Sequence, residues 1–179
     1  MAATRTLITG GVRSGKSTVA EALLAGEPAV PYLAPGPVPD RNVDPEWADR
    51  IDAHRARRPP HWRTVETTDL ATGIETADGA VLVDCLGTWV TAVVDGLGTW
   101  DQPLARWQDR FDVQLDGLLT AWQAADGPLV AVSNEVGWSV VPEHRSGRTF
   151  RDLLGVVNQA VAAVSDDVLL VVSGRVLRL

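Results

Sequence analysis

Eight consecutive residues, Gly10-Gly11-Val12-Arg13-Ser14-Gly15-Lys16-Ser17, fit the pattern G-x-x-x-x-G-K-[S/T] without a gap. Nothing else in the chain restricts its fold as much. The pattern has meaning only between a strand and a helix. Thr4 to Thr9 reads as a short strand, and Ser17 to Ala25 as an Ala- and Leu-rich helix stopped by Gly26. Glycines let such a loop curl so that successive N–H groups point inward at phosphate oxygens. The helix that follows adds the positive end of its dipole. Lys16 is placed to reach the β- and γ-phosphates of a nucleoside triphosphate, and the Ser17 hydroxyl to bind Mg²⁺. The alternative, a glycine-rich turn matching by accident, does not explain the flanks. Lys16 is also the sole lysine among 16 basic Lys and Arg residues; a codon preference for arginine explains the skew but not the place of the exception.

The rest of the chain alternates strands with helices, which implies a mostly parallel sheet covered on both faces. Ala29 to Leu33 reads as a second strand, followed by a proline-rich loop from Ala34 to Val43. Asp44-Pro45 marks a helix start that would run through Trp47, Ile51 and His54 and stop before Pro59-Pro60. Further strands are expected at Arg63 to Glu66, Ala80 to Val83, Leu129 to Ser133 and Val168 to Ser173, with Val176 to Leu179 as a closing hairpin strand at the edge. Helices are expected at Cys85 to Val94, Leu104 to Ala124 and Thr149 to Val164, and an irregular segment at Asn134 to Gly147. The expected architecture is a single α/β domain over residues 1–179, a RecA-like P-loop NTPase three-layer sandwich with an antiparallel edge strand.

Charge narrows the partners. A net charge of −7 repels nucleic-acid backbone and anionic membrane. No apolar run has the length of a bilayer span, and Gly10-Gly11 interrupt any secretory pattern near the start. One thiol, Cys85, cannot form an internal disulfide. A cytoplasmic enzyme is expected, with no nucleic-acid partner and no membrane insertion.

A phosphate loop needs a carboxylate at the end of a neighbouring strand. Val81-Leu82-Val83-Asp84 supplies it, so Asp84 is the candidate Mg²⁺-side ligand; the competing reading is an ordinary N-cap for the helix starting near Cys85, and the two roles are compatible. Glu135 is a second candidate, for orienting a substrate hydroxyl or capping a turn. The segment Trp47 to Trp62 holds two of the three histidines, His54 and His61, with Arg50, Arg55, Arg57 and Arg58. At helical spacing Arg50, His54, Arg57 and Arg58 share similar faces. Nearby cations keep an imidazole neutral, and a neutral imidazole is a nucleophile toward phosphorus. The competing explanation is a solvated basic face with a spectator histidine.

Several segments together resemble one family, the bifunctional adenosylcobinamide kinase/adenosylcobinamide-phosphate guanylyltransferases of cobalamin biosynthesis. They are GGVRSGKS at Gly10 to Ser17, RIDAHRARRPPHW at Arg50 to Trp62, Thr64-Val65-Glu66, VLVDCLGTWV at Val81 to Val90, the stretch from Ser133 to Gln159, and the terminal LLVVSGRVLRL. The first is shared by many NTPases; the HRxxRP and NEVGxxxVPE segments are far more specific. The resemblance implies phosphorylation of adenosylcobinamide with ATP or GTP. It then implies transfer of GMP from GTP through a guanylyl-histidine, giving adenosylcobinamide-GDP. It implies His54 as the nucleophile and Gly10 to Ser17 as the triphosphate cradle. Ala34, Pro35, Gly36, Arg55, Ala56, Arg57, Arg58 and Glu66 become nucleotide contacts, and Ser17 and Asp84 the Mg²⁺ side. It also implies a homotrimer.

The chain departs from the family at some positions. It has Ala34-Pro35 where Ala-Thr is usual, Gly87 where Thr is frequent, and His144 where Asn is usual. Some relatives carry adjacent histidines where this chain has Ala53-His54, and His144 is a competing nucleophile. Trp138, in the irregular segment, is a candidate corrinoid contact. A plain P-loop kinase of another alcohol and a non-catalytic nucleotide switch are the other readings that the residues allow.

Overall fold

The structure is a computed structural model and describes residues 4–179. Seven strands form one sheet: β1 (Arg5–Thr9), β2 (Pro31–Ala34), β3 (Arg63–Glu66), β4 (Val81–Asp84), β5 (Leu129–Val132), β6 (Asp167–Val172) and β7 (Arg175–Arg178). Their spatial order is β3-β2-β4-β5-β1-β6-β7. All neighbours are parallel except β6 and β7, which form the antiparallel edge hairpin. Six α-helices connect them: α1 (Lys16–Leu23), α2 (Pro45–Arg57), α3 (Leu70–Glu75), α4 (Leu86–Leu97), α5 (Gln108–Ala124) and α6 (Arg145–Ala163).

Strand alternation divides the core in two. Leu7, Val81, Val83, Leu129 and Ala131 face a large core filled by Trp89, Trp107, Phe111 and Trp122 and by residues of α3 to α6. Ile8, Tyr32, Leu82, Val130 and Val132 face a smaller core closed by Ala20 of α1, by Leu24 at its C-cap and by Trp62. The central strands are buried on both faces, which is why they read as continuous apolar runs.

Local chemistry sets the element ends. The Asp44 carboxylate accepts from the Trp47 N–H at 2.9 Å and Pro45 opens α2, as the sequence predicts. The N-cap of α4 is Cys85, which leaves the neighbouring Asp84 side chain free of that role. Leu104 to Ala124 is not one helix. A 3₁₀ turn at Leu104–Arg106 ends at Trp107, with φ −141° and ψ 0°, and the buried indole donates to the Gln102 carbonyl. α6 begins at Arg145, four residues before the expected start, and the Arg148 guanidinium caps the Pro142 and Glu143 carbonyls that precede it. α3 was not expected from the sequence. None of the helices among the described residues is long and apolar enough to cross a membrane.

Candidate active site

Strand order places the site. β5 lies between β1 and β4, so the loop after β1, the carboxylate ending β4 and the residues leaving β5 emerge together at the carboxyl edge of the sheet. The loop itself is tightly specified. Gly10 has φ 150°, and a Cβ there would lie 2.3 Å from the Val171 carbonyl oxygen, so only glycine fits. Gly15 caps α1 in the left-handed region at φ 100° with no side-chain cap. The first N–H groups of α1 therefore point into the cleft available to an anion. Lys16 is 7% exposed, and its ammonium donates to the Gly11 carbonyl at 2.7 Å. Burial lowers its pKa, a bias that a polyanion in the loop would reverse.

A cleft of about 930 Å³ opens from this loop. Val12, Arg13, Ser14, Gly15, Lys16 and Ser17 form one wall; Arg50, His54 and Arg57 of α2 form another; Asp84, Cys85 and Asn134 form the floor. A second cavity of about 190 Å³ adjoins it, lined by Ala34, Gly36, Arg55, Arg58, Thr64 and Glu66 among others. Both cavities are lined by Trp47, Arg50, His54, Asp84, Cys85 and Asn134. His54 thus stands where the two spaces meet.

Its surroundings are specific. The Tyr32 hydroxyl donates to Asp84 Oδ2 at 2.7 Å, and the same oxygen is 3.9 Å from His54 Nδ1. Arg58 lies over the Tyr32 ring at 3.2 Å and donates to Thr64 Oγ1 at 2.9 Å. Burial is the largest influence on His54 and lowers its pKa; Asp84 opposes it, and Arg57, Arg58 and Arg50 add to the lowering. Desolvation, not the neighbouring cations expected from the sequence, is thus the first cause. Burial, and then Asp84, push the Tyr32 phenol well above its ordinary range, so Tyr32 is a proton donor to Asp84. Arg55 pairs with Glu66 at 2.6 Å and Arg57 with Glu21 at 3.3 Å.

Some expected members lie elsewhere. Arg58 does not share the His54 face of the helix: it is the C-cap of α2, extended, and turns with Arg55 into the smaller cavity. Pro35 is buried, and Gly10, Gly11, Pro35 and Ala56 line neither cavity. Gly36 is there because the Trp47 ring packs over it; a Cβ would come within 3.1 Å of that ring. His61 and His144 are exposed and line neither cavity, and Trp138 is 71% exposed and lines neither. Sequence reasoning gave no place to Tyr32, Thr64 or the Asn134 side chain. Tyr32 looks like an ordinary core residue of a strand until its hydroxyl is seen on Asp84.

Oxygen donors suit Mg²⁺ here. Ser17 and Asp84 both line the cleft, while no group of three or more His, Cys, Asp or Glu converges among the described residues. A cation at this place would draw its remaining ligands from phosphate and water, which is how Mg²⁺ is held at nucleotide sites.

In solved structures the fold resembles that of type III secretion ATPases. One is assembled EscN from enteropathogenic E. coli, with TM-score 0.53 and 14% identity, covering 96% of this chain and 43% of that one. Another is a prototypical ATPase of the same system in pathogenic bacteria, with TM-score 0.56 and 15% identity, covering 94% and 52%. The chain therefore spans about half the length of these structures, and the likeness shows the P-loop ATPase fold alone. Among curated proteins, the bifunctional adenosylcobalamin biosynthesis protein CobU of Salmonella typhimurium is 42% identical over 94% of this chain and 95% of its own. CobU of Escherichia coli is 40% identical over 94% and 95%, and CobP of Pseudomonas aeruginosa 38% over 95% and 94%. The model of the cobinamide kinase / cobinamide phosphate guanyltransferase family matches residues 6–179, and the chain belongs to that family.

Proposed function

We propose that the chain phosphorylates adenosylcobinamide with ATP or GTP and then moves GMP from GTP to the new phosphate through a guanylyl-histidine on His54. One observation carries the reading: an imidazole kept neutral by burial stands where the triphosphate cleft meets a second cavity, with Asp84 on its Nδ1 side. A kinase alone needs no such group, because γ-phosphoryl transfer is one displacement.

In the kinase step, the aminopropanol hydroxyl of the corrinoid attacks the γ-phosphorus, and the β–γ bridging bond breaks to release a nucleoside diphosphate. Loop amides, Lys16 and Arg13 hold the phosphates; Ser17 and Asp84 would hold Mg²⁺, which would supply charge neutralisation. In the second step, His54 Nε2 attacks the α-phosphorus of GTP. A P–N bond forms, the α–β bridging bond breaks, and pyrophosphate leaves with that electron pair. The proton on Nδ1 stays facing Asp84, which stabilises the positive charge gained by the ring. The cobinamide phosphate oxygen then displaces the imidazole at phosphorus, breaking the P–N bond and restoring neutral His54. Arg55, Arg58 and Glu66 contact the nucleotide from the smaller cavity. The cytoplasmic location and the homotrimer belong to the same reading, and light scattering of the purified protein tests the trimer.

Incubation with α-labelled GTP and Mg²⁺, followed by peptide mapping, tests the mechanism. Acid-labile, base-stable label on His54 supports it. Active phosphorylation with no labelled protein leaves a kinase only, and slow hydrolysis with neither transfer leaves a nucleotide switch.

A further inference from the structure

We infer that Asn134 contacts the substrate directly: its side-chain amide binds the terminal phosphoryl group of the nucleotide held by the Gly10–Ser17 loop. The inference rests on that loop holding a triphosphate, not on the guanylyl-histidine.

The backbone at Asn134 is pinned from three sides. The preceding Ser133 N–H donates to the Ile8 carbonyl of β1 at 2.8 Å, and the following Glu135 N–H donates to the Gly10 carbonyl at 3.1 Å. From α6, Asn158 Nδ2 donates to the Asn134 carbonyl at 3.1 Å, and the Ser133 hydroxyl donates to Asn158 Oδ1 at 2.5 Å. Residue 134 is therefore fixed to the first residue of the phosphate loop. Val132, two residues earlier, is in register with both Ile8 and Asp84. Asn134 thus leaves the sheet between the loop and the carboxylate.

Its side chain has a different status from its backbone. Among the described residues none forms a hydrogen bond with the Asn134 carboxamide, although the residue is half-buried and lines both cavities. The amide packs against the first turn of α4, where a Cβ on Gly87 would lie 3.3 Å from Nδ2. A glycine at this position leaves the amide room. The structure thus holds an uncommitted amide, on a pinned backbone, in the cleft that Lys16 and Asp84 also line.

The chemistry favours a phosphoryl oxygen as partner. Asp84 already stands on this floor, and a second carboxylate would repel the end of a polyphosphate. A neutral N–H donor attracts it and adds no charge for Lys16 to bind in competition. Asn134 leaves the sheet between the phosphate loop and Asp84, so its amide meets the phosphate on the side of that carboxylate, the last of the chain, rather than those cradled at the α1 terminus.

The test is equilibrium binding of GTP and GDP to the full chain in EDTA, with melting temperature as the folding control. Asn134→Ala is expected to weaken GTP about tenfold or more, as for loss of a neutral donor to a charged acceptor, and to leave GDP within about twofold. Asn134→Asp keeps the shape, removes the donor and adds charge, so its GTP loss is at least as large; it also serves if the alanine protein folds poorly. Equal weakening of GTP and GDP, or no weakening of either, overturns the inference. A wild-type protein that binds neither nucleotide overturns the triphosphate reading and this inference with it. Wild-type binding without His54 labelling leaves this inference standing and removes only the two-step mechanism.

Discussion

The phosphate loop and the α2 helix face each other across one cleft, yet the protein holds them in opposite ways. The loop is embedded: Gly10 is locked against Val171, the Ser14 carbonyl accepts from the Gly174 N–H at 2.8 Å, and Lys16 is buried. The α2 helix buries only Ala48. Its moorings are polar: Arg55 to Glu66, Arg57 to Glu21, and the Trp47 indole to the Pro37 carbonyl at 3.1 Å. Exposed ion pairs are each worth about 0–1 kcal/mol. The difference separates two tasks. Gripping a polyphosphate is common to the fold and built into its centre. The group proposed to make this chain a guanylyltransferase sits on a lightly anchored arm at the rim.

This contrast breaks most visibly at His54. His54→Ala should lower guanylyl transfer by about 10⁴-fold or more, the scale for losing a nucleophile, while phosphorylation stays within about threefold. Assaying the two steps separately with cobinamide and cobinamide phosphate checks it, and equal losses would deny the division of labour. Lys16→Ala should lower both steps by about 10²–10³-fold, because both reactions use the same grip; a loss confined to one step would mean two separate triphosphate sites.

A pH series comes next in size. Burial places the His54 pKa below its ordinary value of about 6.5, so the neutral form dominates at pH 7. Single-turnover formation of the histidine adduct should be flat above about pH 6.5. It should fall toward tenfold per pH unit once the pH passes below the lowered pKa. An acid limb centred above the ordinary value would show that the Asp84 influence outweighs burial.

Two stability changes complete the comparison. Gly10→Ala places a Cβ 2.3 Å from the Val171 carbonyl oxygen and should cost about 1–3 kcal/mol in chemical denaturation. Glu66→Ala releases one exposed mooring of α2 and should cost under about 1 kcal/mol. If the order reverses, the rim is the better anchored region and the contrast is wrong.

How much of this the residues reveal follows the same divide. The loop was legible because its physics is local: glycines, one lysine and a helix start lie in eight consecutive residues. The start of α2 was legible because Asp44 and Pro45 act on their own first turn. Features set by distant parts of the chain were not. α3 is six residues with only Leu70 and Ile74 buried, too short for periodicity to show, and its one local signal is the Asp69 carboxylate accepting from the Thr72 N–H. The break at Trp107 depends on where an indole finds its carbonyl. Tyr32, 52 positions from Asp84, and Asn134, held by Asn158, become site residues only once β2, β4, β5 and α6 are assembled. Arg58 shows the cost of extending helical spacing one residue past the end of a helix.

In the proposed mechanism the α2 imidazole attacks the innermost phosphorus of a nucleotide held by the loop. Intact-mass analysis of the wild-type chain and of His54→Ala, after GTP and Mg²⁺ with no corrinoid present, measures this directly. One GMP per wild-type chain is expected, discharged when cobinamide phosphate is added, and none on the variant. An unmodified wild-type chain that still converts cobinamide phosphate to the GDP product would contradict it, as would GMP retained by His54→Ala.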